Sequence, residues 1–204
     1  MEFEIEKIKT DESFSENGII FLEVFIEHIK ILSDVKGAEK INSFYSELAR
    51  SAYEYAKNTL LSESKSEYEH SEDSRKRFSF RPYSYRFFCD VSEDNEKYIS
   101  VICKLFFTQK GKILYEDRFG HIWSRSGELI PLRALLGKEY KNVRKRLSEE
   151  AKKRNLPEID IRSFASKNGS IVFFAKKAQD GRQRVTEVSC SAPEENKEKV
   201  KEKH

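Results

Sequence analysis

The fold is decided by one alternating stretch of the chain, Tyr83-Ser84-Tyr85-Arg86-Phe87-Phe88-Cys89-Asp90-Val91. Its odd-numbered residues are apolar or aromatic, and Ser84, Arg86, Phe88 and Asp90 alternate with them. Because successive side chains of a strand point to opposite faces of a sheet, this pattern predicts a strand with one buried face. The next stretch repeats the odd-numbered pattern with Ile99, Val101, Cys103, Leu105 and Phe107. We therefore expect the two strands to pair as a hairpin across the polar turn at residues 92–95.

A third strand extends this hairpin into an antiparallel meander. A turn around Lys110-Gly111-Lys112 returns the chain through another apolar run, which contains Ile113, Tyr115, Phe119 and Trp123. Towards the N-terminus, residues 3–8 and 19–32 have the composition of two more strands, and Asn17-Gly18 forms the turn before the second one. In that second strand we expect one shared face for Ile20, Leu22, Val24 and Ile26.

Two longer segments have helical spacing instead. After Gly37, apolar residues recur every three or four positions, which predicts an amphipathic helix over residues 41–60 that packs on a sheet. Residues 138–154 predict a second helix, terminated by Asn155 and Pro157, and residues 131–136 predict a short helical turn. The segment 62–77 is rich in Ser, Glu and Lys and has few apolar residues, so we expect a mobile loop there.

The C-terminal part predicts a second hairpin, with strands at residues 160–165 and 170–175 joined through Asn168-Gly169. Residues 185–190 predict a short edge strand, and the Glu- and Lys-rich residues 193–204 a disordered charged tail. The sequence therefore predicts an α+β fold. We expect a single domain over residues 1–192, with an antiparallel sheet of about six strands and two main helices packed against it.

The composition narrows the classes of protein that fit. Charged residues make up 36% of the 204 residues, yet the net charge is only +3, which indicates a mixed, solvated surface. No apolar run approaches the length of a membrane span, and the N-terminal residues lack the features of a signal peptide, so we expect a cytoplasmic location without membrane insertion. The cysteines and histidines have no zinc-site spacing, and no glycine-rich phosphate loop occurs. We expect neither a metal nor a cofactor.

The middle of the chain resembles a known family. The run from Phe119 to Leu136 reads Phe-Gly-His-Ile-Trp-Ser-Arg-Ser-Gly-Glu-Leu-Ile-Pro-Leu-Arg-Ala-Leu-Leu. With the order of the other elements, it resembles the domain of unknown function in RsiV-type anti-sigma factors, over most of residues 19–176. The resemblance implies an extracytoplasmic α+β domain that follows a membrane helix and senses lysozyme in the best-known members.

Two features differ from that family. The chain has no membrane helix, and residues 107–112 read Phe-Thr-Gln-Lys-Gly-Lys where the family usually has Tyr-x-Gly-Gly-Ala-His-Gly. No binding residue is therefore carried over from the family to this chain.

An aromatic group on the third strand of the meander is the first candidate site. It consists of Tyr115, Phe119, His121 and Trp123. If the helices leave part of that sheet face uncovered, these side chains form a natural surface for a peptide or a glycan, because exposed aromatic patches mark interaction sites. We therefore predict a non-enzymatic binding or sensing module whose ligand is a protein or is related to the cell wall.

Two alternative functions follow from other residues. The predicted helix at 138–154 is basic on its exposed side, which suggests binding of nucleic acid or another acidic partner by counterion release. No aromatic residues are interleaved with these bases for stacking, and Glu149 and Glu150 interrupt them. The basic residues are Lys141, Arg144, Lys145, Arg146, Lys152, Lys153 and Arg154.

The second alternative is a cysteine-dependent hydrolase. If the meander turn is centred on Lys110, Cys103 lies opposite Asp117 and on the same face as His121. This arrangement is the nucleophile-like grouping that the sequence offers. However, Cys103 alternates with apolar residues, which predicts a buried thiol with a raised pKa, and such thiols are inert.

Overall fold

Five strands form one sheet in the order β1-β2-β3-β4-β5. The computed structural model describes residues 3–33, 36–72, 80–157, 159–179 and 181–191. The predicted meander is confirmed, because β3, β4 and β5 are antiparallel neighbours. The strands are β1 Ile5–Glu16, β2 Ile19–Ile31, β3 Tyr83–Asp94, β4 Tyr98–Gln109 and β5 Lys112–Ser124.

The sheet is mixed, so the prediction of a purely antiparallel sheet is wrong at one pair of strands. β2 and β3 run parallel, with Val24 opposite Tyr85 and Ile26 opposite Phe87. Parallel neighbours need a long crossover connection, since a tight hairpin can join only antiparallel strands. The helical segment between β2 and β3 provides that crossover. It returns the chain to the end of the sheet at which β2 begins, so that β3 can run in the same direction.

That crossover is longer than the predicted helix. Helix α1 covers Ala38–Tyr55, a π-helical turn covers Ala56–Leu60, and helix α2 covers Leu61–Glu72. The expected mobile loop at 62–77 is thus wrong for residues 62–72, and residues 73–77 lie outside the described residues.

Tertiary contacts explain the extra helix, since α2 has few apolar residues of its own. The fully buried hydroxyl of Ser64 donates a hydrogen bond to the carbonyl of Phe21 at 2.7 Å. The ring of Tyr68 packs edge-on against Phe21, with centroids 5.5 Å apart. Phe21 is itself buried, whereas Ile20, which was expected to point inward, is 42% exposed. A register shift beside Phe14 causes this exchange.

A second, separate sheet replaces the sixth strand of the prediction. It consists of β6 Phe164–Lys167, β7 Ser170–Gln179 and β8 Arg182–Ser191, all antiparallel. The predicted Asn168-Gly169 turn joins β6 to β7, and both residues have positive φ. This sheet packs against β4 and β5 on the side away from α1. The expected single sheet of about six strands is therefore two sheets, one of five strands and one of three.

Two main hydrophobic cores follow from this arrangement. The first lies between α1 and the five-stranded sheet, where the odd-numbered side chains of β3 and β4 point inward as predicted. The second lies between the smaller sheet and two further helices, α3 Leu132–Leu136 and α4 Tyr140–Lys153. The predicted helices at 131–136 and 138–154 are therefore confirmed, with small changes of their ends.

No helix in the described part of the chain is both long and apolar enough to cross a membrane. The predicted disordered tail at 193–204 lies outside the described residues.

Candidate functional site

Three of the four predicted binding residues meet in an aromatic cluster beneath α1. The indole Nε1 of Trp123 donates a hydrogen bond to the hydroxyl of Tyr45 at 3.0 Å. The ring of Phe44 lies 5.0 Å from Trp123 and 4.9 Å from His121, measured between centroids. The ring of Phe119 lies 5.7 Å from that of His121.

This cluster belongs mainly to the first core. Trp123 is only 5% exposed, and Phe119 and His121 are partly buried. Tyr115 lies farther along β5 and is 37% exposed, with its hydroxyl donating to Asp117 Oδ2 at 3.2 Å. The structure therefore gives Trp123 a packing role, and ligand binding by these four residues stays a prediction.

Burial gives His121 a testable effect on stability. Desolvation lowers the pKa of His121 from 6.5 to about 4, because the low-dielectric surroundings disfavour the imidazolium. The unfolded chain binds a proton near pH 6.5 and the folded chain does not, so stability falls as the pH drops from about 6.5 towards 4. We expect wild type to lose about 2–3 kcal/mol more than His121→Gln between about pH 7.5 and 4.5.

Urea unfolding at the two pH values measures this loss. Carboxylates titrate in the same range, but they contribute equally to wild type and variant, so the difference between the two proteins isolates His121. Equal losses in both proteins would show that His121 is protonated in the folded state.

The proposed hydrolase grouping does not assemble. Cys103 lies opposite Phe119, and Asp117 lies opposite Leu105. The turn is centred between Lys110 and Gly111, and a bulge beyond Phe107 adds one more residue to β5, so the expected pairing of Cys103 with Asp117 is wrong by two residues. Cys103 is fully buried, which raises the pKa of its thiol.

Asp117 has other partners than a catalytic residue. Its Oδ2 accepts hydrogen bonds from Lys176 Nζ at 2.7 Å and from the Tyr115 hydroxyl. Lys176 belongs to β7, so this ion pair ties the edge of β5 to the second sheet. Asp117, the acid of the predicted hydrolase, therefore forms an ion pair that connects the two sheets.

A different aromatic group lies on the opposite side of the five-stranded sheet. Phe25 on β2, Phe88 on β3 and Phe106 on β4 form a row, with centroids 5.2 Å apart for the first pair and 6.3 Å for the second. All three are partly exposed. Within the described residues, none of them packs into a hydrophobic core. We call them the phenylalanine row, and we call the part of that side which the second sheet leaves uncovered the open face.

A concave surface adjoins one end of the row. It is a cavity of about 430 Å³ between β1, β2 and β3. Phe25 and Phe88 form its apolar side, and Arg86 places an exposed guanidinium beside them. Acidic and hydroxyl groups complete the lining, namely Asp11, Ser13, Glu23 and Ser84.

Charges border the row on the side opposite to this cavity, two positions further along the strands. Lys7 Nζ lies 2.9 Å from Glu27 Oε1 and 2.6 Å from Asp90 Oδ1, and Lys104 Nζ lies 3.2 Å from Asp90 Oδ2. Partial burial opposes the charged form of Lys7, but the hydrogen bonds to Asp90 and Glu27 outweigh it and raise the pKa of Lys7. The open face thus has an apolar centre with fixed charges on either side.

The sequence contains a signal for this row, although no function was predicted from it. In β3 the even-numbered residues Ser84, Arg86 and Asp90 are polar, and Phe88 interrupts them. Phe106 interrupts the same face of β4 beside Lys104. An aromatic residue on the polar side of an alternating strand is a surface residue that core packing does not require.

The basic residues of the alternative site remain on the surface. All seven are exposed along α4 and at its end, from Lys141 to Arg154. Their ion pairs are long, 3.9 Å for Lys145 with Glu149 and 3.9 Å for Arg154 with Glu150. Contacts of this kind between exposed side chains are weak, so the positive charge of α4 is available to a partner.

Comparison with known proteins identifies the fold. No protein-family model matches the sequence, and no curated protein matches it. A DUF3298 family protein from Bacteroides fragilis has a similar structure, with a TM-score of 0.66, 13% identity, and coverage of 96% of this chain and 92% of that one. A DUF3298 family protein from Pseudomonas aeruginosa gives a TM-score of 0.55 at 11% identity, covering 91% of this chain and 89% of that one. The chain therefore shares the fold of DUF3298 proteins, a domain of unknown function.

Proposed function

We propose that this protein is a non-enzymatic binding or sensing module that recognises a protein or a cell-wall-related ligand on its open face. The observation that carries the proposal is the phenylalanine row, three partly exposed rings side by side on the solvent side of a sheet. Contiguous apolar surface is rare on monomeric proteins away from interaction sites, because it gains nothing from exposure to water.

The surroundings of the row support the same proposal. Protein interfaces combine an apolar, aromatic centre with a polar rim, and arginine is enriched in them. Here Arg86 and the adjoining cavity lie on one side of the row, and the Lys7–Asp90–Lys104 charges lie on the opposite side. A ligand seated on the rings would therefore meet polar partners on both sides.

The family resemblance of the sequence suggests which ligands to try. The resemblance to RsiV-type domains implies lysozyme as a protein ligand, and we propose it as the first protein to test with this chain. The DUF3298 proteins of similar structure support the α+β fold.

We expect Phe88→Ala to weaken binding about tenfold or more, because the ring is central to the row. Two probes test this, namely hen egg-white lysozyme by calorimetric titration and purified peptidoglycan sacculi by co-sedimentation. Tyr55→Ala is the matched control, since Tyr55 is 49% exposed, makes one ring contact and lies on the helix side of the sheet. It should bind like wild type.

Two results would contradict the proposal. One is that neither probe binds the wild-type protein, and the other is that Phe88→Ala and Tyr55→Ala bind equally well. Repeating the assay at high salt separates this site from the basic residues of α4, because binding through those charges would fall steeply with salt.

A further inference from the structure

Two of the three cysteines face one another in the first core. Cys89 on β3 and Cys103 on β4 are directly opposite residues of an antiparallel pair, and their Sγ atoms lie 2.7 Å apart. Both side chains are fully buried beneath α1. Each thiol is therefore within reach of the other as a reaction partner.

The backbone is already placed for a covalent bond. Opposite residues in an antiparallel pair have Cα atoms roughly 4.5–5.5 Å apart, and disulfides span Cα separations of about 4.4–6.8 Å. Strand pairing alone thus satisfies the main geometric requirement. Cys190 offers no competing partner, because it lies on β8 in the second sheet, opposite Ile171.

We infer that Cys89 and Cys103 form an intrachain disulfide when the chain folds in the presence of a disulfide oxidant such as oxidised glutathione. One chain thiolate attacks the oxidant, which gives a mixed disulfide and releases one glutathione thiol. The second chain thiolate attacks the chain sulfur of that mixed disulfide and releases the other glutathione. Two chain thiols and one oxidised glutathione become one chain disulfide and two glutathione thiols.

The disulfide forms during folding and not in the folded protein. Thiol exchange requires an accessible thiolate, and both sulfurs are closed off by α1 once the core forms. Burial also raises the pKa of Cys103, which suppresses its thiolate further. An oxidant therefore acts while β3 and β4 pair and before α1 covers them.

The cross-link would hold the open face as well as the core. Cys89 follows Phe88 in β3, and Cys103 is next to Lys104, which lies opposite Phe88. A bond between the two cysteines thus ties together the strands that carry Phe88 and Phe106 on the other side of the sheet. The inference itself stands on the cysteine geometry and does not depend on the proposed function.

Alkylation counts test the inference. The protein is unfolded with dithiothreitol and guanidinium chloride, refolded in a buffer of oxidised and reduced glutathione, and quenched with acid. It is then alkylated with iodoacetamide in denaturant without reductant, and its intact mass is measured. We expect one label, on Cys190, before reduction and three after it. Peptide mapping should find the peptides of Cys89 and Cys103 linked.

One variant and a second preparation of the protein check the label count independently. Cys190→Ser should take no label before reduction and two after it. The fluorescence of Trp123, the single tryptophan, reports whether the core has refolded. Three labels on refolded protein without reduction, or a disulfide that joins Cys190 to Cys89 or Cys103, would overturn the inference. The same count on protein exported to a bacterial periplasm and purified natively provides the second measurement, and three labels there would overturn it equally.

Discussion

Gly120→Val is expected to lower the free energy of unfolding by about 3 kcal/mol or more. A Cβ atom at Gly120 would lie 2.6 Å from the carbonyl oxygen of Phe164 and 2.8 Å from the Cβ of Ala165. Backbone atoms cannot rotate out of the way, so the second sheet would have to move. Valine is favoured in strands, and Gly120 has no positive φ, so local conformation does not explain the loss.

Urea unfolding followed by Trp123 fluorescence measures the effect. Gly18→Ala is the control, because Gly18 has φ +78° and no atom within 4 Å of an added Cβ. Its cost is limited to the left-handed backbone, about 1 kcal/mol. A Gly120→Val protein as stable as the control would mean that the two sheets do not pack this closely at β5 and β6.

Tyr45→Ala is expected to cost about 3–5 kcal/mol, the range for truncating a large buried side chain. Tyr45 is 0% exposed and lies at the centre of the aromatic cluster beneath α1. The substitution removes the ring that packs against Trp123 and also the hydroxyl that accepts its Nε1 hydrogen bond. The surrounding rings belong to a sheet and a helix and can close the cavity only in part.

Tyr45→Phe separates these two contributions. It keeps the ring and leaves the buried Trp123 N–H without its acceptor, for which we expect about 1–3 kcal/mol. Tyr55→Ala, at an exposed position of the same helix, should change stability by less than about 1 kcal/mol. If Tyr45→Ala proved as mild as Tyr55→Ala, α1 would not pack on the sheet as the structure has it.

The meander was predictable because its signals are local. Alternation from Tyr83 to Val91 and from Ile99 to Phe107 defines two faces, and burying the apolar face sets the strand pairing. The turns were predictable for a related reason. Asn17-Gly18 and Asn168-Gly169 adopt positive φ, which these residue types tolerate better than others do.

Helix α2 was missed because its stability comes from elsewhere in the chain. Serine and glutamate dominate its sequence, which by composition favours a loop. The buried hydrogen bond from Ser64 to Phe21 and the packing of Tyr68 hold it against the start of β2. Phe21 lies some forty positions away in the sequence, and no local pattern in 62–72 reports that contact.

The candidate site was also predictable from the sequence only in part. Three of the four predicted residues of β5 do assemble, but α1 covers the innermost of them, Trp123. The phenylalanine row was visible only as single exceptions to alternation, at Phe88 and Phe106. Strand order placed these exceptions beside Phe25 on one uncovered surface.

Residue type and spacing alone thus specify the α+β class, the meander, the tight turns and the positions of α1 and α4, because each depends on contacts close in the chain. The parallel pairing of β2 with β3, the second sheet behind Gly120 and the meeting of Cys89 with Cys103 arise from packing between distant segments. The position of the turn and a bulge in β5 together shift the pairing by two residues and separate Cys103 from Asp117, and a shift of two keeps each side chain on its face, so apolar periodicity does not reveal it.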